Sequence, residues 1–207
     1  MTHAIRLGQR ARVLSALRAC FDARGFIEIE APVAVVSPGL EPHLDAFELR
    51  TDGPRRFLHT SPEYALKRLL GAGLTRVYSM GPCFRDEPPS RTHSPEFTML
   101  EWYAAGLDLG GLMDQTEGVV RAARAAVGRG PVVYRGLSTH IEAPFERLTV
   151  RAAFQRYAGL DPWAHPTVPS LAAACKARGF RDPGTSDWDD LFFQVFLDAI
   201  EPKLGQE

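Results

Sequence analysis

Arginine, histidine and carboxylate are crowded into one short stretch: Phe84-Arg85-Asp86-Glu87-Pro88-Pro89-Ser90-Arg91-Thr92-His93-Ser94-Pro95-Glu96-Phe97, running on through Glu101 to Trp102-Tyr103. Arginine suits phosphate because its planar fork donates two parallel hydrogen bonds. Carboxylates close by can fix a ribose, an amino group or a magnesium ion. An aromatic ring such as Phe97 can stack on a base, although Phe97, Met99 and Trp102 also read as plain strand core. Neither GxGxxG nor GxxxxGK(S/T) occurs, so a Rossmann site or a P-loop is not the nucleotide-binding device.

Residues 76–84 and 96–103 are apolar and aromatic enough for two strands, and the charged, proline-broken loop between them would carry the arginines. Just upstream, Thr60-Ser61-Pro62-Glu63 opens a helix in either of two ways. Thr60 with Glu63 forms a capping box, or Ser61 caps with Pro62 at the first helical position. The helix runs through Leu70 and ends at Gly71 or Gly73, with Lys67 and Arg68 on a solvated face.

The other elements follow from periodicity. Val13, Leu14, Leu17, Cys20 and Phe21 fall on one face of a helix stopped by Gly25. Residues 26–32 alternate apolar and acidic, a strand ended by Pro32. Short strands are expected at 44–50 and 56–59 around Asp52-Gly53-Pro54. Beyond Asp108 the spacing predicts a helix ending at Gly128, strands at 132–134 and 145–148, a helix capped by Thr149 through Tyr157, and another over 169–177. A last helix is opened by Ser186 with Asp189 and carries Leu191, Phe192, Val195, Phe196 and Ile200. Strands and helices do not alternate regularly, which predicts α+β with an antiparallel sheet flanked by helices.

Length and composition agree with this. The 207 residues suit one domain, 45% are hydrophobic and 24% charged, and the net charge of −1 supplies no global basic field for nucleic acid. Cys20, Cys83 and Cys175 form no CxxC pair, and His43, His59, His140 and His165 have no metal-ligand spacing. No metal site is read from the residues, and the thiols are expected to be buried in a reducing compartment. No secretory signal or membrane-length apolar run appears, so the cytoplasm is the expected location.

The segment from Phe84 to Tyr103 resembles motif 2 of the class II aminoacyl-tRNA synthetases, and its form, with Pro95-Glu96-Phe97-Thr98-Met99-Leu100-Glu101-Trp102-Tyr103, is similar to the lysyl branch. Thr60-Ser61-Pro62-Glu63-Tyr64 with Lys67-Arg68-Leu69-Leu70 looks lysyl-type as well. Gly25-Phe26-Ile27-Glu28-Ile29-Glu30-Ala31-Pro32 resembles motif 1, which implies a homodimer. Because the chain enters motif 1 almost at once, it is most similar to the truncated elongation factor P (R)-β-lysine ligases, which lack an anticodon-binding domain.

The resemblance implies a class II catalytic core and a set of roles. Arg85 would bind the α-phosphate as the catalytic residue, Glu87 would contact the adenine side of ATP, Asp86 would stand in the ATP site in place of the usual asparagine and make that corner more acidic, and His93 would sit near the outer phosphates. Ser94 stands where the family has asparagine, and Phe97 would stack on adenine. Ser61, Pro62, Glu63 and Tyr103 would hold the amino acid, Glu63 through an ammonium group. ATP with Mg2+, elongation factor P or tRNA-Lys, and lysine or β-lysine are the implied cofactor and partners. The glycine-rich motif 3 is absent from the sequence, and the magnesium ligands belong to that same later region. The expected function is ATP-dependent activation of lysine or (R)-β-lysine and transfer to a lysine of elongation factor P. Its alternatives are a tRNA-charging lysine ligase, or an inactive fragment that binds nucleotide or a partner, because about half of the family's site is present.

Overall fold

The computed structural model describes residues 2–39, 41–134, 136–142, 144–181, 184 and 186–205. The chain divides into two compact units, Met1–Gly128 and Arg129–Glu207. Helices combine with mainly antiparallel strand pairs, the expected α+β class. No helix among the described residues is long and apolar enough to cross a membrane.

The first unit begins with α1 (His3–Asp22), which buries Leu17 and Phe21 and half-buries Val13, Leu14 and Cys20, the face the spacing predicts. Cys20 is therefore not a fully buried thiol; the Arg24 guanidinium donates to its sulfur. Gly25, at φ 73°, lets the chain reverse. The strand expected at 26–32 is only β1 (Ile27–Glu28), because residues 33–35 are claimed by a second sheet. His59 N–H donates to Val33 O, and β2 (Ala34–Val35) pairs there with β4 (Arg56–Leu58), itself antiparallel to β3 (Glu48–Leu49). Then come α2 (Glu63–Gly71), β5 (Arg76–Phe84), β6 (Glu96–Ala104) and α3 (Leu109–Ala125). The main sheet has the order β1-β5-β6, with β1 parallel and β6 antiparallel to β5.

Pro82 lies inside β5 without breaking it. Tyr78 O, two steps of two earlier, accepts from Ile29 on the β1 side, so Pro82 also faces that edge and no ladder donor is lost. Its carbonyl accepts from His59 Nε2 at 2.8 Å.

The second unit starts with a hairpin of β7 (Val132–Tyr134) and β8 (Leu137–Thr139), with Gly136 at φ 81° in the turn. The strand expected at 145–148 does not form. The partner of β7 is supplied immediately by the turn, and Leu148 packs instead against a helical core. That core joins α4 (Val150–Ala153), α5 (Val168–Ala177) and α6 (Trp188–Val195), with π-helical turns at Phe154–Ala158 and Phe196–Ile200. Thr149 caps α4, accepting from Ala152 N at 3.1 Å. The expected Ser186–Asp189 capping box is replaced by Asp187, whose carboxylate accepts from Asp189 N at 2.9 Å. A carboxylate one residue nearer the helix reaches its free N–H groups and complements the positive end of the helix dipole.

Candidate active site

The β5–β6 hairpin sorts its side chains by parity, as any pleated strand pair must. Tyr78, Met80, Leu100 and Trp102 pack with Phe21 of α1 and Val119 of α3, Phe21 lying 4.6 Å from the Tyr78 ring. The opposite face therefore carries Val77, Ser79, Gly81 and Cys83 of β5, opposed in register by Tyr103, Glu101, Met99 and Phe97 of β6. Helix α2 packs against both strands. Its first turns lie over this second face, because Glu63 and Lys67 act electrostatically on Glu101.

At one end of the face stands Arg85. Its N–H donates to Pro95 O at 2.9 Å, adding a pairing beyond Phe84–Glu96. Its guanidinium carbon lies 5.1 Å from the centroid of Phe97, and its Nε is buried with no hydrogen-bond partner. A buried donor without an acceptor costs roughly 1–3 kcal/mol, more when charged. Such an atom is suited to an anionic ligand. Glu87, half-buried, turns tightly on Arg85 O at 2.9 Å, and Asp86 N–H donates to Asp45 O at 2.9 Å. Asp86, His93 and Ser94 are exposed, and His93 Nδ1 lies 3.1 Å from both the Ser90 and the Thr92 hydroxyls. Arg85 and Phe97 are thus brought into contact, while His93 and Ser94 occupy an exposed turn.

Carboxylates gather at the other end. Tyr103 Oη donates to Glu101 Oε1 at 2.6 Å. Burial pushes the Glu101 carboxyl above its ordinary value; the Tyr103 hydrogen bond and Lys67 pull it down, and Glu63 and Glu41 raise it. Burial, then the Glu101 hydrogen bond, hold the Tyr103 phenol well above its usual range. The Glu63 carboxylate is paired with Lys67 one turn along α2, so Lys67 is not merely solvated. Neither hydroxyl upstream makes a capping box. Thr60 donates to Pro38 O at 2.9 Å, whereas Ser61 Oγ accepts from Glu63 N at 3.1 Å behind the buried Pro62. A Cβ on Gly39 would meet Glu41 Oε2 at 2.3 Å and Thr60 Oγ1 at 3.0 Å, so this loop passes close over the helix start and a larger residue there would displace the Glu41 carboxylate.

Glu101 is the member that sequence reasoning left unassigned. The signal was there: it lies two residues from Tyr103 and four from Phe97, hence on their face of the strand. Strand rise puts Phe97 and Glu101 about 13 Å apart, long enough for a phosphate at one end and an amine at the other. A cavity of about 530 Å³ opens at the β1 edge of the sheet, lined by Arg18, Glu28, His59, Met80, Pro82 and Cys83 among others, and Arg85, Phe97, Glu63, Glu101 and Tyr103 do not line it. Burial pushes the Cys83 thiol up to about 11, which keeps it un-ionised. No three His, Cys, Asp or Glu side chains among the described residues come together as a metal site.

The sequence pattern of the tRNA synthetases class II (D, K and N) matches residues 3–190. The chain belongs to this family. It is 38% identical to a lysine–tRNA ligase of Pediococcus pentosaceus over 97% of this chain and 41% of that protein. It is 34% identical to an elongation factor P–(R)-β-lysine ligase of Pseudoalteromonas translucida, over 97% of this chain and 59% of that one. A lysine–tRNA ligase of Moorella thermoacetica is 36% identical over 95% of this chain and 41% of its own length. This class II synthetase chain thus spans roughly two fifths to three fifths of these relatives. All three are ligases by name, and they differ in acceptor, one kind naming tRNA and the other elongation factor P.

Proposed function

We propose that the chain carries the ATP- and amino-acid-binding face of a ligase that activates lysine or (R)-β-lysine as an acyl-adenylate. One observation carries the reading: an arginine with a buried, unpartnered Nε stacked on Phe97 at one end of a strand face, and a desolvated carboxylate hydrogen-bonded to Tyr103 at the other. Arg85 takes an α-phosphate oxygen and neutralises charge as the substrate carboxylate attacks phosphorus. The attack forms the acyl–phosphate bond and expels pyrophosphate. Phe97 offers the base its ring face not covered by Arg85, and Glu87 lies on the same side. Asp86, His93 and Ser94 form the outer rim of the nucleotide site. Glu63, Glu101 and Tyr103 hold the amine groups, and Ser61 and Pro62 set the floor beneath Glu63. Holding both reactants in register supplies most of the rate, with no protein nucleophile. Magnesium bound with ATP would neutralise phosphate charge.

The names of the relatives leave two acceptors, a lysine of elongation factor P or tRNA-Lys. We propose further that the motif 1 region, α1 with β1, pairs with a second copy, and that the protein works in the cytoplasm. Calorimetric titration with ATP and with L-lysine or (R)-β-lysine, followed by amino-acid-dependent ATP–pyrophosphate exchange, tests the activation step. Binding with exchange supports the ligase. Binding of both ligands with no exchange favours a binding module lacking turnover. Failure to bind either overturns both readings. Acyl transfer to elongation factor P against tRNA-Lys then separates the acceptors.

A further inference from the structure

We propose that Lys67 is a positioning residue of the amine pocket, which holds the Glu63 carboxylate in place and sets the charge of the pocket to match a substrate bearing two ammonium groups. The inference rests on the ligase reading for the identity of its ligand. Two carboxylates, Glu41 and Glu63, act on a third, Glu101, near the start of α2, and Lys67 is the cation that acts on Glu101 with them. Its ammonium is paired with Glu63 at the i,i+4 spacing, the arrangement a helix holds most readily. Three carboxylates less one ammonium leave a formal charge of −2, the complement of a diamino acid's two cations. The Tyr103 hydroxyl, donating to Glu101 at 2.6 Å, stays neutral and adds no charge. Without Lys67 the pocket would hold like charges with one member desolvated, a situation relieved by protonating that member and losing a partner for the substrate amine.

The groups facing Glu101 are Tyr103 on its own strand, Glu63 and Lys67 on α2, Glu41 in the preceding loop and Cys83 on β5. Of these only Lys67 is a cation. Removing it therefore moves Glu101 protonation to higher pH. Lys67 is more than half exposed, so its replacement leaves the core of α2 intact.

The test compares the 207-residue chain with its Lys67→Met and Lys67→Arg forms. Carboxyl titration followed by 13C-glutamate NMR is paired with calorimetric binding of L-lysine. Lys67→Met is expected to keep its circular dichroism, to shift Glu101 titration upward, and to lose about tenfold in lysine affinity at neutral pH, recovered in part at higher pH. Lys67→Arg is expected to restore both. Unchanged Glu101 titration and affinity in Lys67→Met, or an arginine form as impaired as the methionine form, would overturn the proposal. Should the unaltered chain bind no lysine while Glu101 titration still shifts in Lys67→Met, the ligase reading fails and the charge-setting role of Lys67 stands.

Discussion

Arg85 in the first unit and Arg151 in the second make the same contact: each guanidinium carbon lies 5.1 Å from an aromatic centroid, Phe97 for one and Trp163 for the other. Their polar partners differ. Arg151 Nε is 3.2 Å from an Asp161 carboxylate oxygen, on a side chain that is half exposed. Arg85 Nε is buried and has none. An arginine that packs and pairs within its own unit is explained by that unit. One that packs while its donor stays unsatisfied has a cost that its own unit does not offset, and a ligand can. The same contrast runs through both units. The second centres on apolar and aromatic side chains, with Phe154, Leu160, Leu171, Leu191 and Ile200 almost wholly buried and Phe192 stacked on Trp188. The first covers one face of its hairpin in the same manner and leaves charge on the other.

Predictions test whether that division holds. The largest effect belongs to the second core: Phe154→Ala is expected to cost about 3–5 kcal/mol, read as lost amide protection in α5 and α6, with ATP affinity unchanged. A matching loss of ATP affinity would break the division. Next, Arg85→Ala should weaken ATP binding about 100-fold by calorimetry, whereas Arg151→Ala leaves it unaltered. Urea unfolding of Arg85→Met should show no loss of stability, since an unpartnered buried donor is removed. Glu101→Gln should reduce lysine affinity about tenfold and flatten its pH dependence. On the proposed reading the ionised form of Glu101 holds the amine, and its pKa is raised, so binding by the unaltered chain should be complete above that pKa and fade as pH falls through it, at a higher pH than an ordinary glutamate would give. Smallest is Thr167→Ala. This residue forms a capping box with Ser170 at the start of α5, and its loss should cost about 1 kcal/mol in chemical unfolding with both ligand affinities unchanged.

Strand and helix extents in the hairpin region were legible because period and punctuation agree there. Residues 76–84 are β5 as read, and 96–103 differ from β6 by one residue. The readings that failed did so where two nearby segments competed. Residues 26–32 offered a full strand, but Val33 was taken by the second sheet. Residues 145–148 offered a strand, but β8 was closer to β7 in the chain. Among the candidate site residues, Arg85 with Phe97 and Glu63 near Tyr103 were brought to one face, while the roles of His93 and Ser94 gain no contact that favours them.

What the sequence determined alone was local and periodic: the α+β class, the hairpin, the helix that opens at Ser61-Pro62-Glu63, and the family, because residue type and spacing act over a few neighbours. Tertiary structure decided which charges meet. That the Lys67–Glu63 pair, itself set by helix spacing, comes to act on a half-buried Glu101 depends on how α2 lies over the sheet. So does the missing partner of Arg85 Nε, since burial and electrostatic coupling are properties of distance in space, which no spacing along the chain specifies.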